Sequence, residues 1–211
     1  MTEHDPQVHR TGGVIHALPV GGGILAIAPQ PGAHDSYDKD LGHILDWRPA
    51  LVVSLTTTDE LAQTGAGDLG PQLQERATRW AHVPVAPDAA PTPDVAKRWT
   101  ETSAFARRAL WGGGRVLIHG RDGCGRAGMA ALRLMIEAGE APDEAQQRLW
   151  ALHRPMIGGT AQLRWAMAAE REAAVFLSRR ADATRRPAHG VGVRGWKTTQ
   201  AGLVTAASFR T

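Results

Sequence analysis

RVLIHGRDGCGRAG, residues 115–128, sets an apolar run, a histidine, a glycine-rich loop and an arginine directly before a helix-like stretch. A strand that runs through a glycine-rich turn into a helix is the local plan of a phosphate-binding loop. Three readings of it compete. By spacing, Gly123, Gly125 and Gly128 match the G-x-G-x-x-G pattern of dinucleotide-binding folds. That pattern needs a second strand after the helix, ending in an acidic residue for the ribose, and this chain offers another helix there. A nucleoside-triphosphate loop fails sooner, because Arg126 and Ala127 stand where Lys and Ser or Thr are required. The third reading uses more of the residues. The backbone N–H groups of Arg121, Asp122, Gly123, Cys124, Gly125 and Arg126 would face a phosphate dianion at the helix start. Gly123 and Gly125 would let the backbone curl around it, and Arg126 would clamp it with a two-pronged guanidinium.

Outward from the loop, short apolar runs alternate with helix-like segments. ILAIA (24–28), ALVVSL (50–55), WAHVPV (80–85) and RVLIH (115–119) are predicted strands, bounded by Gly, Pro and charged clusters. YDKDLGHILDW, LGPQLQERATR and PDVAKRWTETSAFARRALW, with Pro93 suited to a helix start, are the predicted helices between them. After the loop come helices alone: GMAALRLMIEAG, ending at Gly139; PDEAQQRLWALHR, from Pro142 to a stop at Pro155; and TAQLRWAMAAEREAAVFLSRR behind a Thr160 cap. This order predicts an α/β fold with a mostly parallel central sheet of about four to five strands flanked by helices. Residues 1–178 are expected to form a single domain and residues 179–211, which show no sustained period, a basic and flexible tail.

The chain of 211 residues is 43% hydrophobic, enough for one ordinary core. The net charge of +3 hides an asymmetry: seven cations against Asp182 give residues 179–211 a charge of +6, leaving −3 for residues 1–178. With only Trp196 and Phe209 interleaved, the tail lacks the aromatic platform of a nucleic-acid binder, so nucleic acid is not an expected partner. No apolar run approaches the length of a membrane span, and the early acidic and Pro residues do not resemble a signal peptide. One cysteine, Cys124, excludes an internal disulfide, and a cytoplasmic protein is expected. The nine histidines show no metal-ligand spacing, so neither a metal nor another cofactor is expected. The tryptophans at 47, 80, 99, 111, 150 and 165 are read as packing residues.

The loop resembles the signature H-C-x-x-G-x-x-R-[ST]-G of the cysteine-dependent tyrosine and dual-specificity phosphatases, with His119, Gly123, Arg126 and Gly128 in register. About thirty residues upstream, HVPVAPDAAPTPD (82–94) is similar to the mobile general-acid loop of these enzymes and makes Asp88 the acid. The order of segments from DLGHILDW to HVPV resembles the subgroup of the cyclin-dependent-kinase-associated phosphatase and its bacterial relatives, over roughly residues 24–170. The resemblance implies a partner that is a phosphorylated protein, on Tyr or on Ser/Thr, or another phosphomonoester. It gives His119 the role of supporting the loop.

Three positions depart from that pattern. The nucleophilic Cys of the family falls on Gly120, which has no side chain to attack phosphorus. The hydroxyl after the arginine is replaced by Ala127, and the Gln expected three residues after Thr160 falls on Leu163, with Gln162 one position early. Cys124 stands four residues further round the loop and Asp122 is anionic, so neither is expected to replace the thiolate. The leading expectation is therefore a phosphate-binding pseudophosphatase. An active phosphatase, in which Gly120 is an introduced or recent replacement of Cys, is the second reading, and an interaction protein working through the basic tail is the third.

Overall fold

The computed structural model describes residues 15–152 and 157–171 and the backbone of two further strands at 196–198 and 204–206. Its elements in chain order are β1 (His16–Val20), β2 (Gly23–Pro29), α1 (Tyr37–Trp47), β3 (Leu51–Ser54), α2 (Thr58–Gln63), α3 (Leu69–Glu75) and β4 (Arg79–His82). They continue with α4 (Pro93–Trp111), β5 (Arg115–Gly120), α5 (Arg126–Glu137), α6 (Pro142–Leu152), α7 (Thr160–Met167), β6 (Trp196–Thr198) and β7 (Val204–Ala206). The central sheet has the order β1-β2-β5-β3-β4. Only the β1–β2 pair is antiparallel; β5 lies parallel between β2 and β3, with Ala28 and Ser54 both in register with His119. The loop after β5 is therefore flanked by the carboxyl ends of two neighbouring strands, where open α/β sheets bind ligands.

The sheet is buried on both faces, as a parallel sheet must be. Leu25, Ile27, Val53, Val116 and Ile118 point to one side, into a core shared with Trp99, Leu110 and α5. Ala26, Ala28, Val52 and Leu117 point to the other, against Ile44, Trp47, Leu61, Leu69 and Leu73 of α1 to α3. Every residue of α5 except Arg133 is buried, so this helix runs through the interior with its N-terminus at the loop. No helix of the described residues is long and apolar enough to cross a membrane.

The predicted strands and helices all have counterparts, with differences that have local causes. β1 is missing from the sequence reading because HALPV carries a proline, which an edge strand tolerates. α2 is missing because it spans six residues; its signal is the capping box in which Thr57 and Glu60 satisfy each other's N–H groups. The helix after the loop begins earlier than predicted, at Arg126, because Gly125 is its N-cap. Thr160 is the first residue of α7 and Gly159 is its N-cap, so Thr160 is not the cap. α7 ends at Met167 rather than running on to Arg180; the remainder of that predicted helix from residue 172 and the predicted stop at Pro155 lie outside the described residues. Within the predicted flexible tail, β6 and β7 form an antiparallel pair, and the other residues of 179–211 lie outside the described ones.

Gly70 shows how tightly the sheet edge is packed. A β-carbon there would lie 2.3 Å from Cε3 of Trp80, whose ring is fixed by a hydrogen bond from Nε1 to Ser54 and by stacking on His82. Gly70→Ala is expected to lower stability by about 2 kcal/mol in urea unfolding, the overlap outweighing the roughly 1 kcal/mol of helix propensity gained.

Candidate functional site

The site forms where β2, β3, β4 and β5 end. β5 delivers His119 and Gly120, the chain turns through residues 121–125, and Arg126 opens α5. Gly123 has φ 72°, and a β-carbon on it would come within 3.0 Å of the Pro29 nitrogen, so the loop can press against the end of β2 only with glycine there. Gly125, at φ 56° and ψ −102°, caps α5 without a side chain. Among the described residues, the N–H groups of Arg121, Asp122, Cys124, Gly125 and Arg126 make no hydrogen bond of good geometry to a backbone carbonyl, whereas the antiparallel bridge between Pro29 and Asp122 turns the Gly123 N–H towards the Ala28 carbonyl. The loop thus leaves five backbone donors without a backbone acceptor at the positive end of an interior helix.

Arg126 is buried and already has an anionic partner. Its Nη1 and Nη2 each donate to a carboxylate oxygen of Glu60 at 2.7 Å, and Nη1 also donates to the Val85 carbonyl at 2.8 Å. Glu60, which sequence reasoning missed, supplies the balancing charge for the guanidinium expected to clamp phosphate. The pair aims the guanidinium. One edge is held by Glu60, while Nε–H and the second N–H of Nη2 have no acceptor among the described residues. The Arg126 guanidinium in turn holds the Glu60 carboxyl down at about 2, against an ordinary 4.5, with a further contribution from the Thr57 N–H.

His119 lies fully buried beneath the loop. Trp80 donates from Nε1 to the Ser54 hydroxyl at 2.7 Å, and that hydroxyl lies 2.6 Å from His119 Nε2. Burial pushes the imidazole down to about 3, with His82 and Arg126 adding to the fall, so the ring is neutral at physiological pH. Nε2 of the neutral ring shares a hydrogen bond with the Ser54 hydroxyl, while Nδ1 makes none of good geometry. Trp80, read from the sequence as packing, is thus also the outer end of a hydrogen-bond chain that fixes the residue before Gly120.

The remaining candidates fall around the loop. Arg121 donates from Nη1 to Gln63 Oε1 at 3.2 Å, while its carbonyl accepts from Gln30 N. Asp122 is exposed and bridges to Pro29. Cys124 is half-buried against the main core; burial and the neighbouring Asp122 push its thiol above its ordinary range, which leaves it a poor nucleophile. Asp88 is exposed at φ 55°, and a β-carbon on Gly158 would sit 3.9 Å from its Oδ1 and 3.6 Å from Gly125 Cα. The segment bearing Asp88 therefore stands over the loop.

Gln162 completes the arrangement and corrects the register argument made against it. It is buried, donates from Nε2 to the Ala89 carbonyl at 3.0 Å and accepts at Oε1 from Gly158 N at 3.1 Å. Its position beside Gly125 arises because Gly158 and Gly159 bring the start of α7 close to the loop. Gln162→Leu leaves two backbone groups unpaired at nearly constant volume. It is expected to cost about 1–3 kcal/mol and to speed amide hydrogen exchange in residues 86–91. Unchanged exchange there would show that Gln162 does not hold that segment.

No metal-binding group of three or more His, Cys, Asp or Glu occurs among the described residues. No protein-family model matches the chain, and no curated protein matches it. Solved structures do. One is the kinase associated phosphatase with its catalytic cysteine substituted by serine: 20% identity over 74% of this chain and 93% of that one, TM-score 0.65. Another is PTPMT1 in complex with PI(5)P: 16% identity over 72% and 92%, TM-score 0.56. A third is the human tyrosine phosphatase-like serine/threonine/tyrosine-interacting protein: 17% identity over 80% and 97%, TM-score 0.51. The likeness is one of architecture, and it agrees with the resemblance carried by His119, Gly123, Arg126 and Gly128: the chain has the fold of the cysteine-dependent tyrosine and dual-specificity phosphatases.

Proposed function

We propose that this chain binds a phosphomonoester, on a phosphorylated protein, at the loop of residues 120–126 without turning it over: a pseudophosphatase. The observation that carries this reading is the pairing of a cluster of loop donors with an absent nucleophile. Five N–H groups without a backbone acceptor among the described residues, a helix N-terminus and the open edge of Arg126 lie together at the loop, a set that suits a phosphate dianion, whereas Gly120 offers no atom to attack and burial and Asp122 push the Cys124 thiol up, away from the reactive thiolate. The lone cysteine supports a cytoplasmic setting.

Phosphate at several times its dissociation constant is expected to raise the melting temperature by about 2–5 °C. Arg126→Ala should abolish the rise, and so should Glu60→Gln combined with Arg126→Met, which leaves no buried charge unpaired. A rise that survives both changes would place the anion elsewhere. One observation favours the second reading, an enzyme whose Cys was replaced. Gly120 does not have the positive φ that would demand glycine, and a β-carbon there meets nothing closer than 3.3 Å.

A further inference from the structure

Among the described residues, the segments around this loop are acidic, an odd surround for a site that takes a dianion. The segments at the carboxyl ends of the strands, residues 30–36, 55–63, 86–91, 120–126 and 157–159, carry Arg121 and Arg126 against Asp35, Asp59, Glu60, Asp88 and Asp122. Asp35 is matched by Lys39, and Glu60 is spent on Arg126. Arg121 leans on the neutral Gln63. Asp59, Asp88 and Asp122 are exposed and have no cationic partner or hydrogen-bond donor for their carboxylates among the described residues, which leaves these segments three unpaired carboxylates against one cation, Arg121, that has no acidic partner among the described residues. A phosphoryl group deep in the loop is held by N–H groups, but any further negative charge on its carrier meets that rim. The one large apolar side chain exposed among the described residues, Ile24, lies near the start of β2, at the opposite end of the sheet from the loop.

We infer that the phosphoryl group is carried on a polypeptide segment rich in lysine and arginine rather than on a phosphoinositide at a membrane. The inference rests on the proposal that the loop binds phosphate, and it names the class of carrier. Cationic flanks complement Asp59, Asp88 and Asp122, whereas a phosphoinositide brings its diester phosphate and an anionic membrane surface with it.

The test titrates the whole chain by fluorescence anisotropy with four peptides: phosphotyrosyl and phosphoseryl sequences, each with Lys/Arg flanks or with Asp/Glu flanks. Inorganic phosphate, the unphosphorylated basic peptide and phosphatidylcholine vesicles containing a phosphatidylinositol monophosphate are run beside them. The basic phosphopeptides are expected to bind about three- to tenfold more tightly than the acidic ones, as two or three exposed charge pairs allow. The preference should shrink towards unity in Asp88→Asn/Asp122→Asn and at high salt. Equal or tighter binding of the acidic peptides, tighter binding to the vesicles, equal binding of the unphosphorylated peptide, or a preference unchanged in the double variant would each overturn it. Were inorganic phosphate to bind while flank preference is absent, only this inference would fall; if phosphate and every phosphopeptide fail to bind, the proposed function falls with it.

Discussion

Gly120→Cys is expected to hydrolyse para-nitrophenyl phosphate about 10³-fold faster than the native chain, or more, since removing a nucleophile from a hydrolase costs on the order of 10⁶ in kcat. The loop can take the side chain. A β-carbon at position 120 would lie 3.3 Å from Ala127 N, 3.4 Å from the Cys124 carbonyl and 3.5 Å from Ala127 Cβ, contacts that a shift of a few tenths of an ångström relieves. Its sulfur would then stand at the N-terminus of α5, where the helix end and the unpaired loop N–H groups favour a thiolate. His119, kept neutral by burial, adds no charge to that effect. The contrast with Cys124 is one of environment: its thiol is pushed up by burial and by Asp122, so the native cysteine is not expected to contribute turnover.

The time course should carry a second mark. With Ala127 in place of a hydroxyl, breakdown of the phosphocysteine is expected to be slow, so Gly120→Cys should release about one equivalent of product in a burst before a slower steady rate. Ala127→Ser in that background should raise the steady rate and leave the burst unchanged. Gly120→Ala is the control, with the same β-carbon and no thiol. Comparable turnover by the native chain and by Gly120→Cys would overturn the assignment of Gly120 as the missing nucleophile.

How much of this was legible in the sequence depended on how local the signal was. The loop, its strand and the following helix are one contiguous segment whose residue types dictate the backbone, and RVLIHGRDGCGRAG yielded them together. Asp88 was proposed from resemblance and spacing, and the structure sets its side chain near Gly158, beside Gly125. Glu60 was not, although Thr57 and Glu60 form a recognisable capping box: the box predicts a helix start, and nothing local says that the same carboxylate crosses to a guanidinium 66 residues away. Ser54 and Trp80 were hidden for the same reason, because strand order, not sequence order, sets β3 between β5 and β4. Gln162 was discounted by counting from Thr160, whereas the close approach of Gly158 to Gly125 sets the Gln162 Oε1 beside the loop.

The second large effect expected is on stability, from the pair that aims Arg126. Glu60→Gln leaves a buried guanidinium without its counter-charge, and breaking such a pair from one side is expected to cost about 2–4 kcal/mol at pH 7, a fall in melting temperature of roughly 5–15 °C. The pH dependence identifies the cause. Because Glu60 is held at about 2 in the folded chain against 4.5 ordinarily, its contribution is complete above pH 4.5 and is lost as the pH falls towards 2. The difference between native and Glu60→Gln chains, measured by urea unfolding, should therefore be constant from pH 7 to about 5 and narrow steadily below 4.5. His119, depressed to about 3, also draws stability away as the pH falls from 6.5, but it does so in both chains and cancels from the difference. Thr57→Ala separates the cap from the ion pair, since losing the hydroxyl that receives the Glu60 N–H should cost only about 1 kcal/mol and shift little with acid. If Glu60→Gln behaves like Thr57→Ala, small and flat with pH, Glu60 serves only its own helix and Arg126 is held by something else.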